Sequence, residues 1–294
     1  MIFVRNEFKP LFPETLVADF LKIEGETVKH VVEDRHTFRF ERGGRLFYMK
    51  AHFGVGWKEI TKNLITLKAP VLGARNEWQA IRAFERLGVP TMTIVAYGES
   101  GINPAHRKSF LITDALEQTE DLEQWLPTLD LHRPEDVKLK REIIRKLGAI
   151  ARVLHQRGLN HRDFYLCHFR LDLSHGKPDP DSVKLYVMDL HRVQQHRRQV
   201  PRRWAIKDLA ALLYSALHSC RHDPGYSGNP SVVTVADLFR FVAAYSSQPW
   251  PQALKQDCDL WTRVLRRVLR LCRRDRHHSD NSRDCLPPAL TRFL

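Results

Sequence analysis

The sequence has few cysteines, and they are not arranged to build a scaffold. Five cysteines occur in 294 residues, at wide spacing, and there is no Cys-x-x-Cys pair. This usage excludes a disulfide framework and fits a reducing compartment. No apolar run approaches the roughly 18 residues that a membrane-spanning helix needs. The N-terminal segment also lacks the apolar core of a signal peptide, so the sequence predicts a cytoplasmic protein.

Acidic residues are scarce relative to basic ones. The 47 Lys and Arg residues exceed the 34 Asp and Glu residues by 13, and the isoelectric point is near 9.7. A surplus this large favours an anionic partner or substrate, such as nucleic acid, phospholipid, or a phosphorylated or carboxylated molecule. No helix-turn-helix, zinc-finger or aromatic RNA-binding pattern occurs, which argues against nucleic acid.

The first part of the chain has the pattern of a small antiparallel sheet with one helix. Alternating β-branched and aromatic residues predict strands at Thr27–Val32, Phe38–Arg42, Arg45–Lys50, Thr93–Tyr97 and Phe110–Thr113. Gly43-Gly44 between two of these strands is a strong two-residue hairpin signal. Apolar residues at helical spacing predict one helix over Asn76–Leu87.

After Asp114 the pattern becomes mainly helical. Helices are predicted at Leu122–Leu126, Lys138–Gln156, Asp208–His218, Asp237–Tyr245 and Leu260–Arg274. A loop at His161–Phe169 and a buried apolar strand at Leu185–Leu190 separate them. The sequence therefore predicts an α+β protein with an N-lobe at residues 1–114 and a C-lobe at residues 115–275. The polar segment 276–294 is expected to be a flexible tail.

Four charged residues at the ends of these elements match the needs of phosphoryl transfer from ATP. Lys50 ends a strand, Glu77 lies on the N-lobe helix, Asp163 follows His161-Arg162, and Asp189 closes an apolar strand. A lysine neutralises phosphates, a glutamate holds that lysine, one carboxylate takes a proton, and another binds Mg²⁺. Taken singly, the lysine and glutamate are typical of solvated surface charges, and Asp163 of a helix cap. Their order along the chain favours a kinase.

With these residues the sequence resembles the lipopolysaccharide core heptose kinase family (the WaaP/RfaP group), a bacterial branch of the protein-kinase-like fold. The segments that carry the resemblance are Gly54–Trp57, Pro70–Trp78, Asn160–Phe169, Met188–Arg192 and Lys207–Leu212. It implies a bilobal α+β kinase-like fold that uses ATP and Mg²⁺. It further implies phosphorylation of the lipopolysaccharide inner core, at O4 of the first heptose, on the inner face of the bacterial inner membrane. Acyl carrier protein is a partner implied by the resemblance.

The resemblance also implies roles for individual residues. Asp163 would be the general base, in one catalytic loop with Arg162 and His168. Lys50 would pair with the ATP phosphates and Glu77 would hold it, while Asp189 would bind Mg²⁺. Asp208 would brace the catalytic loop. The segment Asp114–Leu116 would be the hinge strand whose backbone meets adenine, placing Asp114 and Leu116 in the nucleotide site.

Two of the sequence's departures from the kinase pattern concern the phosphates and the metal. The Gly-x-Gly-x-x-Gly loop is missing, because the first hairpin turn is predicted at residues 33–37, and Arg35 is expected to supply a charge to the phosphates instead. His168 stands where protein kinases have a metal-binding Asn. Since Mg²⁺ prefers oxygen ligands, we expect His168 to contact a phosphate or orient Asp163, and we expect one protein-bound metal.

Two basic segments remain. The first is predicted to be an acceptor platform for the anionic lipopolysaccharide core, whose Kdo sugars carry carboxylates and whose lipid A carries phosphates; a solvated basic loop is the alternative. Its residues are Arg192, Arg197, Arg198, Arg202 and Arg203. The second is the amphipathic helix Leu260–Arg274, which could lie on an anionic membrane, dock acyl carrier protein, or pack its apolar face onto the C-lobe.

Other functions stay open at the level of sequence. The same residues fit a kinase for the second heptose or for Kdo. A third hypothesis is a catalytically silent kinase-fold module that binds an anionic ligand. The presence of all four of Lys50, Glu77, Asp163 and Asp189 argues against the silent module.

Overall fold

The computed structural model describes residues 1–32, 35–54, 56–57, 61, 73–219 and 233–276. Contacts divide the chain into two compact units. The first comprises Met1–Glu117 with Asp189–Val193, and the second comprises Gln118–Met188 with Gln194–Leu294. The segment that begins with Asp189, which the sequence placed in the C-lobe, therefore clusters with the first unit.

The first unit is built on a six-stranded antiparallel sheet. Its strands are β1 (Ile2–Val4), β2 (Glu26–Val32), β3 (Arg35–Arg42), β4 (Arg45–His52), β5 (Ile94–Ser100) and β6 (Lys108–Asp114). They lie in the order β1-β5-β6-β4-β3-β2. The sequence predicted five of these strands, and it missed the three-residue edge strand β1.

The sequence predicted one hairpin turn of the sheet correctly and placed the other too far along the chain. Gly43 and Gly44 have φ of 61° and 71°, and Arg42 pairs with Arg45. Glycine adopts such left-handed backbone without steric cost, which is why this pair makes the two-residue hairpin turn. The first hairpin turn was expected over residues 33–37, but residues 35–37 belong to β3 (Arg35–Arg42). Glu33 and Asp34 lie outside the described residues.

Aromatic side chains form the core of the first unit. Phe20 stacks on Phe110 with ring centroids 4.3 Å apart, and Phe12 meets Phe47 edge to face at 5.2 Å. Phe20 belongs to α1 (Val17–Phe20), so the expectation of a single helix in the N-lobe is wrong. The longer helix, α2 (Arg75–Arg86), buries Ala80, Ile81 and Phe84 completely. Burial of this apolar face fixes the helix that carries Glu77.

The second unit is mainly helical. Its helices are α3 (Leu122–Trp125), α4 (Pro134–Gln156), α5 (Arg202–Ser219), α6 (Val235–Ser246), α7 (Trp250–Gln256) and α8 (Cys258–Arg276). A three-stranded sheet contains β7 (Thr119–Asp121), β9 (Phe169–Asp172) and β10 (Leu185–Val187), and β8 (Leu159–Asn160) pairs with β11 (Gln194–Gln195). The strand expected over Leu185–Leu190 thus ends at Val187.

Helices α4 and α6 pack closely and share a buried ion pair. A Cβ atom added at Gly148 would lie 2.8 Å from the Cβ of Ala244, so only glycine permits this approach. Lys140 Nζ donates to Asp237 Oδ2 at 2.8 Å, with side chains 7% and 2% exposed. Burial acts to raise the pKa of Asp237, but hydrogen bonds from Lys140 and Thr234 lower it overall.

Helix α8 uses its apolar face inside the second unit, where it packs against α5. The buried residues of this face are Leu260, Trp261, Val264, Val268 and Cys272. Of the three interpretations of the segment, packing onto the C-lobe is therefore confirmed for the apolar face. The helix continues to Arg276, so the first residue of the expected tail is helical, and residues 277–294 lie outside the described part. In that described part, no helix is long and apolar enough to cross a membrane.

Candidate active site

Three of the predicted site residues meet in the first unit. Lys50 Nζ donates to Glu77 Oε1 at 2.6 Å and lies 3.9 Å from Asp189 Oδ1. Glu77 is only 3% exposed, whereas the side chain of Lys50 is 24% exposed. The glutamate is held rigidly by α2, and it holds the lysine in turn. A lysine placed between two carboxylates, with access to solvent, is suited to receive a phosphate.

Asn76 fixes the segment that carries Asp189. Its Nδ2 donates to the carbonyl oxygens of His191 at 2.6 Å and Val193 at 3.2 Å. Asn76 and Glu77 are neighbours on the first turn of α2, so one helix positions both Lys50 and Asp189. Sequence reasoning gave Asn76 no role, and its place beside Glu77 is the only local signal.

Asp189 has backbone geometry suited to turning a carboxylate out of a strand. Its φ and ψ are 58° and 55°, a left-handed conformation that Asp tolerates better than most residues. The ring Nδ1 of His191 donates to Asp189 Oδ1 at 2.6 Å and fixes the carboxylate. His191 is a second residue that the sequence did not assign.

These residues fit a magnesium ion held by one protein carboxylate. Mg²⁺ typically binds one or two carboxylates and takes its other ligands from phosphates and water. Asp189 offers a carboxylate that is 37% exposed, beside the lysine expected to bind phosphates. Across the described ranges, no group of three or more His, Cys, Asp or Glu side chains is arranged as a metal site.

The expected adenine contacts fall at the end of β6. The backbone N–H of Asp114 donates to Thr93 and that of Ala115 to Leu46, each at 3.0 Å, and Arg45 pairs with the Asp114 carboxylate. The sheet therefore uses these two N–H groups itself. Arg35 lies in β3, but its side chain is outside the described part, so its expected contact with phosphates stays a prediction.

The loop that carries Asp163 is braced from within the second unit. Asp208 is fully buried and accepts the backbone N–H groups of His161 at 2.7 Å and Arg162 at 2.9 Å. His155 Nε2 lies 3.4 Å from the same carboxylate. His161 Nε2 donates to the Met188 carbonyl at 2.8 Å. Because two amides converge on one buried carboxylate, the backbone that immediately precedes Asp163 is held in place.

His168 contacts the backbone of Asp163. Its Nδ1 lies 2.7 Å from the Asp163 carbonyl oxygen. A carbonyl can only accept, so Nδ1 of His168 is the donor and carries a proton. Whether His168 orients Asp163 or contacts a phosphate stays a prediction.

The arginines of the predicted acceptor platform differ in their exposure and in their contacts. Arg197, Arg198, Arg202 and Arg203 are exposed, and Arg192 is half-buried. Arg202 pairs with Asp257 and lies 3.6 Å from Asp259, so it is already occupied by acids of its own unit. Arg203 instead lies over the ring of Trp204.

Comparison with known proteins identifies the family. The model of the lipopolysaccharide kinase (Kdo/WaaP) family matches residues 18–245. The chain belongs to this family. The resemblance drawn from the sequence motifs is thereby confirmed.

Curated relatives of this Kdo/WaaP-family kinase match most of its length. The lipopolysaccharide core heptose(I) kinase WaaP of Pseudomonas aeruginosa is 41% identical over 259 residues, covering 88% of this chain and 90% of the relative. The protein of the same name from Escherichia coli K12 is 38% identical over 243 residues, covering 83% and 86%.

A solved structure shares the fold. The structure described as WaaP in complex with acyl carrier protein has a TM-score of 0.72 and 33% identity, covering 92% of this kinase and 99% of that chain. The α+β kinase-like fold class predicted from the sequence is confirmed.

Proposed function

We propose that this protein is an ATP-dependent phosphotransferase that phosphorylates a heptose hydroxyl of the lipopolysaccharide inner core. The observation that carries the proposal is the approach of Lys50 to both Glu77 and Asp189. This is the arrangement that ATP phosphates require, and it lies in a chain of the lipopolysaccharide kinase family. The acceptor class follows from relatives named heptose(I) kinase.

In the nucleotide site, Lys50 would neutralise phosphate charge and Glu77 would keep its ammonium in place. Asp189 would hold Mg²⁺, which neutralises charge between the phosphates when it is bound. As the resemblance implies, the hinge segment Asp114–Leu116 would meet adenine through its backbone, although the sheet uses the N–H groups of Asp114 and Ala115.

Asp163 would act as the general base. Its carboxylate would accept the proton of the acceptor hydroxyl as that oxygen bonds to the γ-phosphorus and ADP leaves. Asp208 and His168 would act through the backbone, since their contacts fix the loop at Arg162 and Asp163. Arg162 would supply positive charge beside the base.

The acceptor, partner and location extend the proposal. The acceptor would be O4 of the first heptose, and the reaction would occur at the cytoplasmic face of the inner membrane. Acyl carrier protein would be a partner, since the structural relative is described in complex with it. Arg192, Arg197, Arg198 and Arg203 would face the anionic core.

The direct test is transfer of labelled γ-phosphate from ATP to dephosphorylated lipopolysaccharide core. Asp163→Asn keeps the shape of the side chain but removes the base, so transfer should fall by about 10²- to 10⁴-fold. ATP affinity should stay within about twofold, because nucleotide binding does not need the base. Asp179→Asn, at an exposed position of the same unit, is the matched control. Near-normal turnover of Asp163→Asn would contradict the base assignment, and ATP binding without label transfer by the wild type would contradict the kinase proposal.

A further inference from the structure

Two residues on one face of α5 contact the loop that carries Asp163. Asp208 and Ser215 are separated by about two helical turns, or about 10 Å along the axis, so both project from the same side of the helix. Their side chains are buried, with exposures of 0% and 5%. Asp208 binds the backbone that precedes Asp163, and Ser215 binds the backbone that follows it.

The hydroxyl of Ser215 is oriented by its own helix. It donates its hydrogen to the carbonyl oxygen of Leu212 at 2.9 Å. Its oxygen accepts the backbone N–H of Leu166 at 3.0 Å. Because a hydroxyl has one hydrogen and two lone pairs, it can make both bonds at once. The contact with Leu166 is therefore made by a group that α5 already holds in place.

Leu166 takes this acceptor from a distant part of the chain. It begins a single 3-10 turn, Leu166–His168, and the first N–H groups of a helix have no partner within it. Tyr165, which precedes the turn, makes no side-chain cap. Ser215, 49 residues further on, supplies the acceptor in a buried position. Removing the hydroxyl would leave a buried N–H group unsatisfied, and such groups in proteins are almost always paired.

Asp163 lies between the two contacts. The N–H of Arg162 donates to Asp208 at 2.9 Å on one side, and the N–H of Leu166 donates to Ser215 on the other. The backbone of Arg162 is left-handed, with φ of 74°. This conformation costs energy in a residue with a side chain, and it persists only where the surrounding contacts impose it. A loop bound on one side alone is free to relax this strain.

We infer that Ser215 is a positioning residue for the reaction, because it holds the segment after Asp163 as Asp208 holds the segment before it. With both contacts made, α5 fixes the place of the proposed base within the second unit. No segment that carries the family resemblance includes Ser215. The inference rests on the proposed function for the role of Asp163, but the contact it concerns joins Ser215 to Leu166.

The test is Ser215→Ala, which removes the acceptor and keeps α5 helical, since alanine has the highest helix propensity. We expect kcat for phosphate transfer to dephosphorylated lipopolysaccharide core to fall about ten- to a hundredfold, as when a catalytic group is misplaced. KM for ATP and for the core should stay within about twofold, because Ser215 acts on the base and not on binding. In hydrogen exchange followed by NMR, the Leu166 amide should exchange at least about tenfold faster.

Thr234→Ala is the matched control. It also removes a hydroxyl that accepts a backbone N–H in the second unit, that of Asp237 at 3.3 Å, but Thr234 caps α6. The variant should be less stable than the wild type, as expected for a lost helix cap. Its kcat and the exchange rate of its Leu166 amide should stay within about twofold of the wild-type values.

Three results would overturn the inference: wild-type kcat in Ser215→Ala, unchanged exchange of the Leu166 amide in that variant, or an equal loss of kcat in Thr234→Ala. A wild type that transfers no phosphate would instead overturn the proposed function. The exchange rate of the Leu166 amide then decides by itself whether Ser215 holds the loop.

Discussion

Replacing Glu77 by glutamine removes the negative charge that holds Lys50. The substitution preserves shape, so α2 should remain folded. The partner of the Lys50 ammonium at 2.6 Å then becomes neutral, and among the described residues Asp189, at 3.9 Å, is the carboxylate that remains beside it. We expect it to move toward Asp189, where it would compete with the cation that this carboxylate is proposed to hold. Both ATP use and the requirement for Mg²⁺ should therefore change.

The size of the effect follows from burial. Breaking a fully buried ion pair costs about 3–5 kcal/mol. Glu77 is 3% exposed but Lys50 is 24% exposed, so water recovers part of this cost. We expect about 1–3 kcal/mol in the transition state, which corresponds to a roughly 5- to 150-fold loss in kcat/KM for ATP.

The assay is phosphate transfer as a function of Mg²⁺ at fixed ATP. Glu77→Gln should lower kcat/KM for ATP and raise the half-saturating Mg²⁺ concentration. Glu85→Gln is the matched control, since Glu85 lies on the same helix and pairs with Arg5 at a more exposed position. A Glu77→Gln enzyme with wild-type kcat/KM and an unchanged Mg²⁺ requirement would refute this role of the Lys50–Glu77 pair.

Three further substitutions test other contacts. Asp208→Asn should lower kcat at least about tenfold with ATP affinity unchanged, because it weakens a brace worth roughly 1–3 kcal/mol; unchanged kcat would contradict the brace. Lys140→Met should lower the free energy of unfolding in urea by about 3–5 kcal/mol, and adding Asp237→Leu should restore part of that loss. A single variant as stable as the wild type would contradict this cost of leaving Asp237 unpaired. Asp172 has its pKa lowered to about 2, chiefly by the Ser174 hydroxyl, so its contribution is complete above about pH 4 and is lost as the pH falls toward 2. Asp172→Asn should show a smaller loss of unfolding free energy across that range, and an equal loss would contradict the assignment.

Local pattern accounts for most of the secondary structure. The Gly43-Gly44 turn and the helices α2 and α4 are each determined by a short stretch of sequence, and the structure contains them where the sequence predicts them. Helix α1 was missed because it has only four residues and no long apolar repeat, and the start of β3 at Arg35 was missed because no glycine or proline marks it. The ends of several other elements differ from the predicted ends by a few residues, because no turn residue or cap marks them.

Some residues of the candidate site could be predicted from the sequence, and others could not. Lys50, Glu77 and Asp189 could be proposed from chain order, and the structure brings the three together. The contact of Asn76 could not, because a side chain that binds a backbone carbonyl 115 residues away leaves no periodic trace.

The sequence also could not distinguish the contacts of neighbouring basic residues. In the sequence, Arg202 and Arg203 are equivalent members of one basic run. In the structure the first is paired with Asp257 and the second lies over Trp204. Charge content predicts an anionic ligand, whereas three-dimensional contacts decide which arginines are available for it.

The most direct measurement is the position of the new phosphate on the product. Dephosphorylated lipopolysaccharide core would be incubated with ATP, Mg²⁺ and the wild-type protein, and the deacylated product examined by phosphorus–proton correlation NMR. We expect one new phosphomonoester signal correlated with the H4 proton of the first heptose, absent with Asp163→Asn. Correlation with a proton of the second heptose or of Kdo, or a product without new phosphate, would contradict the proposed activity.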